Sequence, residues 1–310
     1  MSTIDPAKGA GLRRPGVVGT AQSHRAAKPL FWTKSRSKGI GDAVTYAIIA
    51  MMSVVILFPV FWMLSTSLKE RGEVFLFPPR WIPEELIWEN YPEALTFLPF
   101  GMYFRNTVFV TGMCVLGQLL SSPLVAFAFA RLHARGRDVL FLLVLATMML
   151  PAQVTMIPLF MLFKVAGLVD TFVPLILPNF FGGAFFIFLL RQFFLTISPE
   201  LADAAKIDGC GYFQTYSRIY LPLSKPALAT VAIFTIMWTW NDFMGPLIYL
   251  NREQNWTLTL GLSRFRGIYG TTPWNLLMAA SLVTVLPLIV LFFFAQRYFI
   301  QGIVITGVKG

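Results

Sequence analysis

The sequence predicts an all-α membrane protein, a bundle of six transmembrane helices. Three observations carry this. Apolar residues make up 56% of the 310 and charged residues only 13%, about half of what a soluble domain uses to coat itself. Six segments are long and apolar, five of them without a charge and one with a single acid, Asp242. A polar, proline-ended island at 200–226 stands between two of these segments.

The six segments lie at 43–68, 106–130, 139–163, 172–190, 226–250 and 275–295. Each is close to or above the roughly 20 residues a helix needs to cross hydrocarbon. Helix is required, because backbone groups in lipid must bond within their own segment. Pro59, Pro123, Pro151, Pro158, Pro174, Pro178 and Pro287 interrupt several spans. Such breaks suit a bundle bent around a cavity, where neighbours or water re-satisfy freed carbonyls.

Orientation follows from lysine and arginine. Seventeen of the 25 fall in the N-terminal tail, the 131–137 connection, the island with its flank, and the C-terminal piece. The remaining eight, and six glutamates between Glu70 and Glu93, fall on the other side. Both termini and the island are therefore expected in the cytoplasm, and the net charge of +10 reads as topology rather than nucleic-acid binding. Residues 1–41 form a basic tail, low in apolar residues and expected to be disordered and to touch anionic lipid; residues 42–310 form the membrane domain. The apolar stretch after the tail is too long for a signal peptide. Cys114 and Cys210 make no disulfide framework. His24 and His133 have no ligand cluster around them, which argues against a metal centre or histidine catalysis.

The island has its own signals. Ser198-Pro199-Glu200 starts a helix, with serine as cap, proline at the first position and an acid in the first turn. Gly209 or Gly211 stops it. A second short helix over about 212–220 ends at Leu221-Pro222. A chain reversal needs about five residues, not some thirty. A helix lying in the headgroups would carry basic residues on its polar face, whereas Glu200, Asp203 and Asp208 make this one acidic. A docking site for a soluble partner fits better, with Ala204 and Ala205 as a surface another protein approaches closely.

Asp203-Ala204-Ala205, Gly209, Ile219 and Leu221-Pro222 resemble the EAA loop of ABC importer permeases, E-A-A-x3-G-x9-I-x-L-P. The spacing matches throughout; aspartate stands where the family usually has glutamate. "SSPLVAFAFARL", "MLPAQVTMIPLFMLFKVAGLVDT", "FIFLLRQFF", "WTWNDFMGPLI" and the closing "GVKG" extend the likeness over residues 42–310. Together they resemble carbohydrate-importer permeases, of the type of the second permease of the maltose importer. The resemblance implies a type I importer permease fold with a cytoplasmic coupling helix in the loop at about 196–225, seated in a cleft of the ATPase. It assigns coupling to Glu200, Asp203, Ala204, Ala205, Gly209, Ile219, Leu221 and Pro222. It also implies a second, different permease, a dimer of ATP-binding subunits, an extracellular or periplasmic sugar-binding protein, and a bacterial or archaeal cytoplasmic (inner) membrane.

A sugar path needs hydrogen-bonding groups beside aromatic faces. "WTWNDF" offers Trp238, Trp240, Asn241 and Asp242 as path or gate. Asp242 stands ~24 Å along its helix from Pro226, so capping or pairing with an arginine competes with sugar contact. Gln118, Gln153 and Asn179 read first as interhelical hydrogen bonds. Arg264 and Arg266, flanking Phe265, read as a docking surface for the binding protein, though a solvated turn is open. Trp81, Trp88, Trp256 and Trp274 read as an interfacial belt. Gly307, Lys309 and Gly310 are, by resemblance, an ATPase contact, with a frayed terminus as the alternative. No G-x-x-x-x-G-K-[ST] occurs. The chain is therefore expected to be no enzyme and to bind no cofactor, with ATP and Mg used by the partner. Rival readings are a permease for a glycerol phosphodiester or an amino acid, which for phosphate would want a cation facing the cavity, and a polytopic membrane enzyme, which would want clustered catalytic groups.

Overall fold

A computed structural model describes residues 34–266 and 272–307, and among these the regular structure is entirely helical. The chain divides into two units, 1–56 and 57–310. In the first, the described residues belong to helix α1 (Lys34–Ser67), which starts inside the basic tail, before the apolar segment. Eighteen residues within its stretch Gly41–Ser67 have a mean hydropathy of 2.5 and none of them is buried, while Ser65, Thr66 and Ser67 at its end are. A helix apolar on every side and uncovered is one whose solvent is lipid.

The second unit is organised around one long helix. α2 (Asn90–Phe97) leads into α3 (Phe100–Arg131), 32 residues with Pro123 inside. The third expected span is two helices rather than one. α4 (Arg137–Thr147) and α5 (Ala152–Val165) meet at 96°. Pro151 is the reason: it lacks a donor and pushes the preceding Leu150 out of the helical region. The fourth span is continuous by length, Val173–Thr196, and comprises α6 (Val173–Ile176), a 3₁₀ segment Leu177–Phe181, and α7 (Ala184–Thr196).

The polar island follows as α8 (Pro199–Ile207), α9 (Tyr212–Thr215), a π-helical turn Tyr216–Tyr220, and α10 (Leu221–Leu223). A 77° bend then leads into α11 (Lys225–Trp240). The fifth span was expected to run on to residue 250, but the helix stops at Trp240, and after a short break α12 (Met244–Tyr249) begins. α13 (Leu258–Leu262) and α14 (Trp274–Gly307, with Pro287 inside) complete the described chain. Among the described residues four helices are long and apolar enough to cross a membrane, and up to six spans result if each bent pair is one.

α3 packs along α7 and α11, and α11 along α14. Two apolar clusters mark its ends. Near Arg131, Phe127, Phe194, Tyr220 and Val231 pack together. Near Phe100, Tyr103, Trp240, Leu258, Phe265 and Leu276 do the same. Contact is tight midway: a Cβ on Gly117 would stand 2.7 Å from the Phe180 ring and 3.0 Å from the Asn179 carbonyl carbon. A small residue here lets backbones approach, as membrane helix interfaces favour.

Candidate functional site

The hairpin is built by local chemistry. The Ser198 hydroxyl accepts from the Glu200 amide at 3.3 Å, capping α8. At the other end Gly209 takes φ +81°. The Cys210 amide then donates to Ala205 O (2.8 Å) and the Gly209 amide to Lys206 O (3.1 Å), the paired bonds of a Schellman stop. Gly211 starts α9, its amide donating to Gln214 Oε1 at 3.0 Å. The second helix runs further than expected, to Leu223, and includes the π-helical turn.

Glu200, Asp203, Ala204, Asp208 and Gly209 are exposed on this hairpin. So are large apolar side chains: Ile207 is 87% exposed, Phe213 71% and Tyr212 65%. Ala205 is not on that surface. It is buried, as the register of a short helix requires when its neighbour Ala204 faces out. Ile219 and Leu221 pack against the cluster at this end of α3, so they hold the hairpin down, while Pro222 is exposed.

At the far end of the bundle a cavity of about 260 Å³ is lined by Thr107, Val110, Leu175, Asn179, Trp238, Thr239, Asp242, Pro246 and Thr257. Asp242 stands in the break between α11 and α12. Its carboxylate accepts from the Gly245 amide at 3.1 Å and its carbonyl from Thr259 Oγ1 at 2.6 Å. It thus bonds the first turn of α12, and no described arginine or lysine pairs with it. Trp238 is about half exposed and packs on Phe185, Phe186 and Phe234. Asn241 turns back to donate to Met237 O at 2.8 Å. Gln118 and Asn179 form the interhelical hydrogen bond expected of them, at 3.0 Å.

Two sequence-derived site residues are structural instead. Trp240 is 6% exposed; its indole donates to Thr284 O at 3.1 Å and its ring meets Phe104 edge-on. Phe265 is fully buried and stacks on Phe97 at 5.5 Å, so it cannot present a docking face. Arg264 and Arg266 remain exposed, with Arg264 5.5 Å over the Trp256 ring. Gly307 is the last residue of α14; Lys309 and Gly310 lie outside the described residues.

Two polar centres order connections between the helices. Asp170 accepts from the Asn251 and Arg252 amides, both at 3.0 Å, from the Arg252 guanidinium, and from Asn255 Nδ2. Burial disfavours its charge, but these donors outweigh burial and hold its carboxyl down at about 2. Lys69 is 1% exposed, its ammonium donating to Arg80 O at 2.5 Å and lying 4.4 Å over the Trp62 ring. Burial lowers its pKa, and the Coulombic pull of Glu73 offsets part of that.

Residues 122–305 match the family described as the binding-protein-dependent transport system inner membrane component. The chain belongs to that family. Among curated relatives, the permease is 37% identical over 249 residues to an arabinooligosaccharides transport system permease protein of Halalkalibacterium halodurans, covering 79% of this chain and 86% of that one. It is 33% identical over 278 residues to a probable ABC transporter permease protein of Bacillus subtilis, covering 87% and 90%. Among solved structures it superposes, with a TM-score of 0.75 and 26% identity, on a chain of a bacterial ABC transporter involved in the import of the acidic polysaccharide alginate. That match covers 86% of the permease and 99% of the other chain. The permease is thus an inner-membrane component of an ABC importer, with the all-helical fold of that class.

Proposed function

We propose that this permease moves a sugar or oligosaccharide into the cell, supplying half of a path completed by a second, different permease. Both termini and the 200–222 hairpin face the cytoplasm, where the hairpin engages a dimer of ATP-binding subunits. That dimer binds ATP and Mg; this chain has no phosphate-cradling loop of its own. A sugar-loaded protein docks outside, in part on Arg264 and Arg266. The C-terminal Gly307, Lys309 and Gly310 reach toward the ATPase.

The observation that carries this reading is the hairpin. It is a rigidly capped element that presents carboxylates beside exposed isoleucine, tyrosine and phenylalanine. Such a mixed face fits a protein cleft better than lipid or water. The cavity supports a neutral, hydroxyl-bearing cargo. Its lining offers threonines, Asn179, Asp242 and the Trp238 ring, and none of its lining residues is a lysine or arginine. A phosphodiester would want such a cation.

The test is ATP hydrolysis by the reconstituted assembly with its binding protein, challenged with oligosaccharides, glycerophosphodiesters and amino acids. Stimulation by a saccharide and not by the others supports the reading. Stimulation by a phosphodiester or an amino acid alone overturns the cargo assignment while leaving the permease intact.

A further inference from the structure

One side chain reaches both legs of the hairpin's base. Arg131 is the last residue of α3. Its Nη2 donates to Phe194 O at 2.6 Å and to Ile197 O, the carbonyls at the end of α7 through which the chain enters the hairpin. Its guanidinium carbon also lies 5.2 Å from the centroid of the Tyr220 ring. Tyr220 closes the π-helical turn through which the chain leaves the hairpin. It is fully buried and packs edge-on against Phe127 of α3 (5.1 Å) and Phe194 of α7 (5.8 Å). The guanidinium fork suits this double duty: it bonds carbonyls in its plane and offers its face to a ring.

This joint is incompletely paired. Arg131 Nε and the Tyr220 hydroxyl are both buried, and neither has a hydrogen-bond partner in good geometry. The Arg131 guanidinium still acts on the Tyr220 hydroxyl, through its charge and as a side-chain donor, and the Asp203 carboxylate acts on the same tyrosine in the opposite sense. Buried polar groups are normally satisfied, and π-helical turns concentrate at functional sites. A node with spare donors at such a turn has room for a second pairing when the hairpin shifts.

The opposite end of α3 holds the cavity. Tyr103 donates to the Glu253 carboxylate at 2.6 Å. Asn106 donates to Gln254 O (2.8 Å) and Trp256 O (2.9 Å), and the Thr107 hydroxyl accepts from the Leu258 amide at 2.8 Å. Thr107 and Val110 are cavity wall. About 40 Å of one helix, at 1.5 Å per residue, separates these groups from Arg131.

We propose that Arg131 is a positioning residue that converts hairpin movement into movement of α3, and so of the cavity wall. This rests on the reading of the hairpin as the ATPase contact. The test uses the complete reconstituted importer, with Cys114 and Cys210 replaced by serine and Val110→Cys as a reporter. Two quantities are measured: ATP hydrolysis, and the rate at which N-ethylmaleimide labels the reporter without nucleotide and after trapping with ATP and orthovanadate. With Arg131 present, trapping changes the labelling rate at least five-fold. Arg131→Ala retains more than half of the hydrolysis and loses that change. Arg131→Lys, which keeps the charge and a single donor group, retains a change of about two-fold. A merely structural role lowers assembly and hydrolysis together without separating them from labelling, and that result, or an unaltered change in both variants, overturns the proposal. Asp203→Arg is the control on the hairpin. If it leaves hydrolysis and labelling untouched, the hairpin reading falls and the lever with it. If it abolishes the change and the Arg131 variants do not, the lever alone falls.

Discussion

At the residue scale the decisive feature is Gly209. At φ +81° it occupies a conformation that costs an L-residue about 1–2 kcal/mol. A Cβ there would meet nothing within 4 Å, so the whole cost is backbone strain concentrated on the hairpin. Gly209→Val is therefore expected to leave the bundle folded, with an unchanged melting transition in detergent, while ATP-driven uptake falls several-fold. Uptake at the wild-type rate would contradict the role of the capped turn. Trp240 behaves in the opposite way. Removing a buried indole costs about 3–5 kcal/mol, so Trp240→Ala is expected to lower the melting temperature sharply, whereas Trp238→Ala, at a half-exposed cavity position, leaves it within a few degrees. The same contrast shows what one chain position reveals. The serine cap and the glycine stop act within a few residues, so they are legible in the sequence, whereas Leu221-Pro222 does not end its helix, which runs on to Leu223. The burial of Trp240 and Phe265 is set by Thr284 and Phe97, far along the chain, so "WTWNDF" and Arg264-Phe265-Arg266 look alike exposed and are not.

At the scale of elements the account depends on two joints. One is the crossing of α3 with the 3₁₀ segment before α7, where Gly117 faces Phe180 and the Asn179 backbone. The Asn179 backbone there cannot yield as a flexible side chain would. Gly117→Leu is expected to destabilise the bundle by about 1–3 kcal/mol, the usual cost of overpacking, read as a lowered melting temperature and loss of the purified monodisperse chain. The other is the clasp of Asp170 on Asn251, Arg252 and Asn255. Its native carboxyl titrates at about 2, below the ordinary 3.8. A depressed carboxyl contributes stability above the unfolded value and loses it as pH falls toward the folded one. The clasp is thus complete at neutral pH, weakens below about pH 4 and is gone near pH 2. Asp170→Asn is expected to cost about 2 kcal/mol at pH 7, the scale of a charge-assisted hydrogen bond, with the difference from wild type shrinking as unfolding is measured at progressively lower pH. A difference independent of pH would contradict it. The spans were legible because apolar length is a local property, but Pro151 was one of seven prolines in them and did not single out the third as the span that breaks. Arg131 was not legible, because an arginine at the end of a span reads as a topology marker, and its partners lie 63 and 66 residues further on.

For the whole molecule, the fold puts two working ends on one helix: a polar hairpin beside Arg131 and a cavity beside Thr107. On the proposed function, energy and cargo arrive at these different places, and the helix joins them. The family to which the chain belongs is a component of a transport system, not an enzyme, and Asp242, the one acid within an apolar segment, bonds the first turn of α12. On the proposed function, cargo is chosen at the cavity and by partner proteins, and coupling runs through the hairpin, which is where the account is most exposed. The direct measurement is photo-cross-linking in native membranes from Ala204→Cys, an exposed position on α8, in a background without Cys114 and Cys210. The account predicts capture of the ATP-binding subunit, and no reaction with a membrane-impermeant maleimide added outside intact cells. Labelling from outside, or adducts with lipid alone, would contradict it.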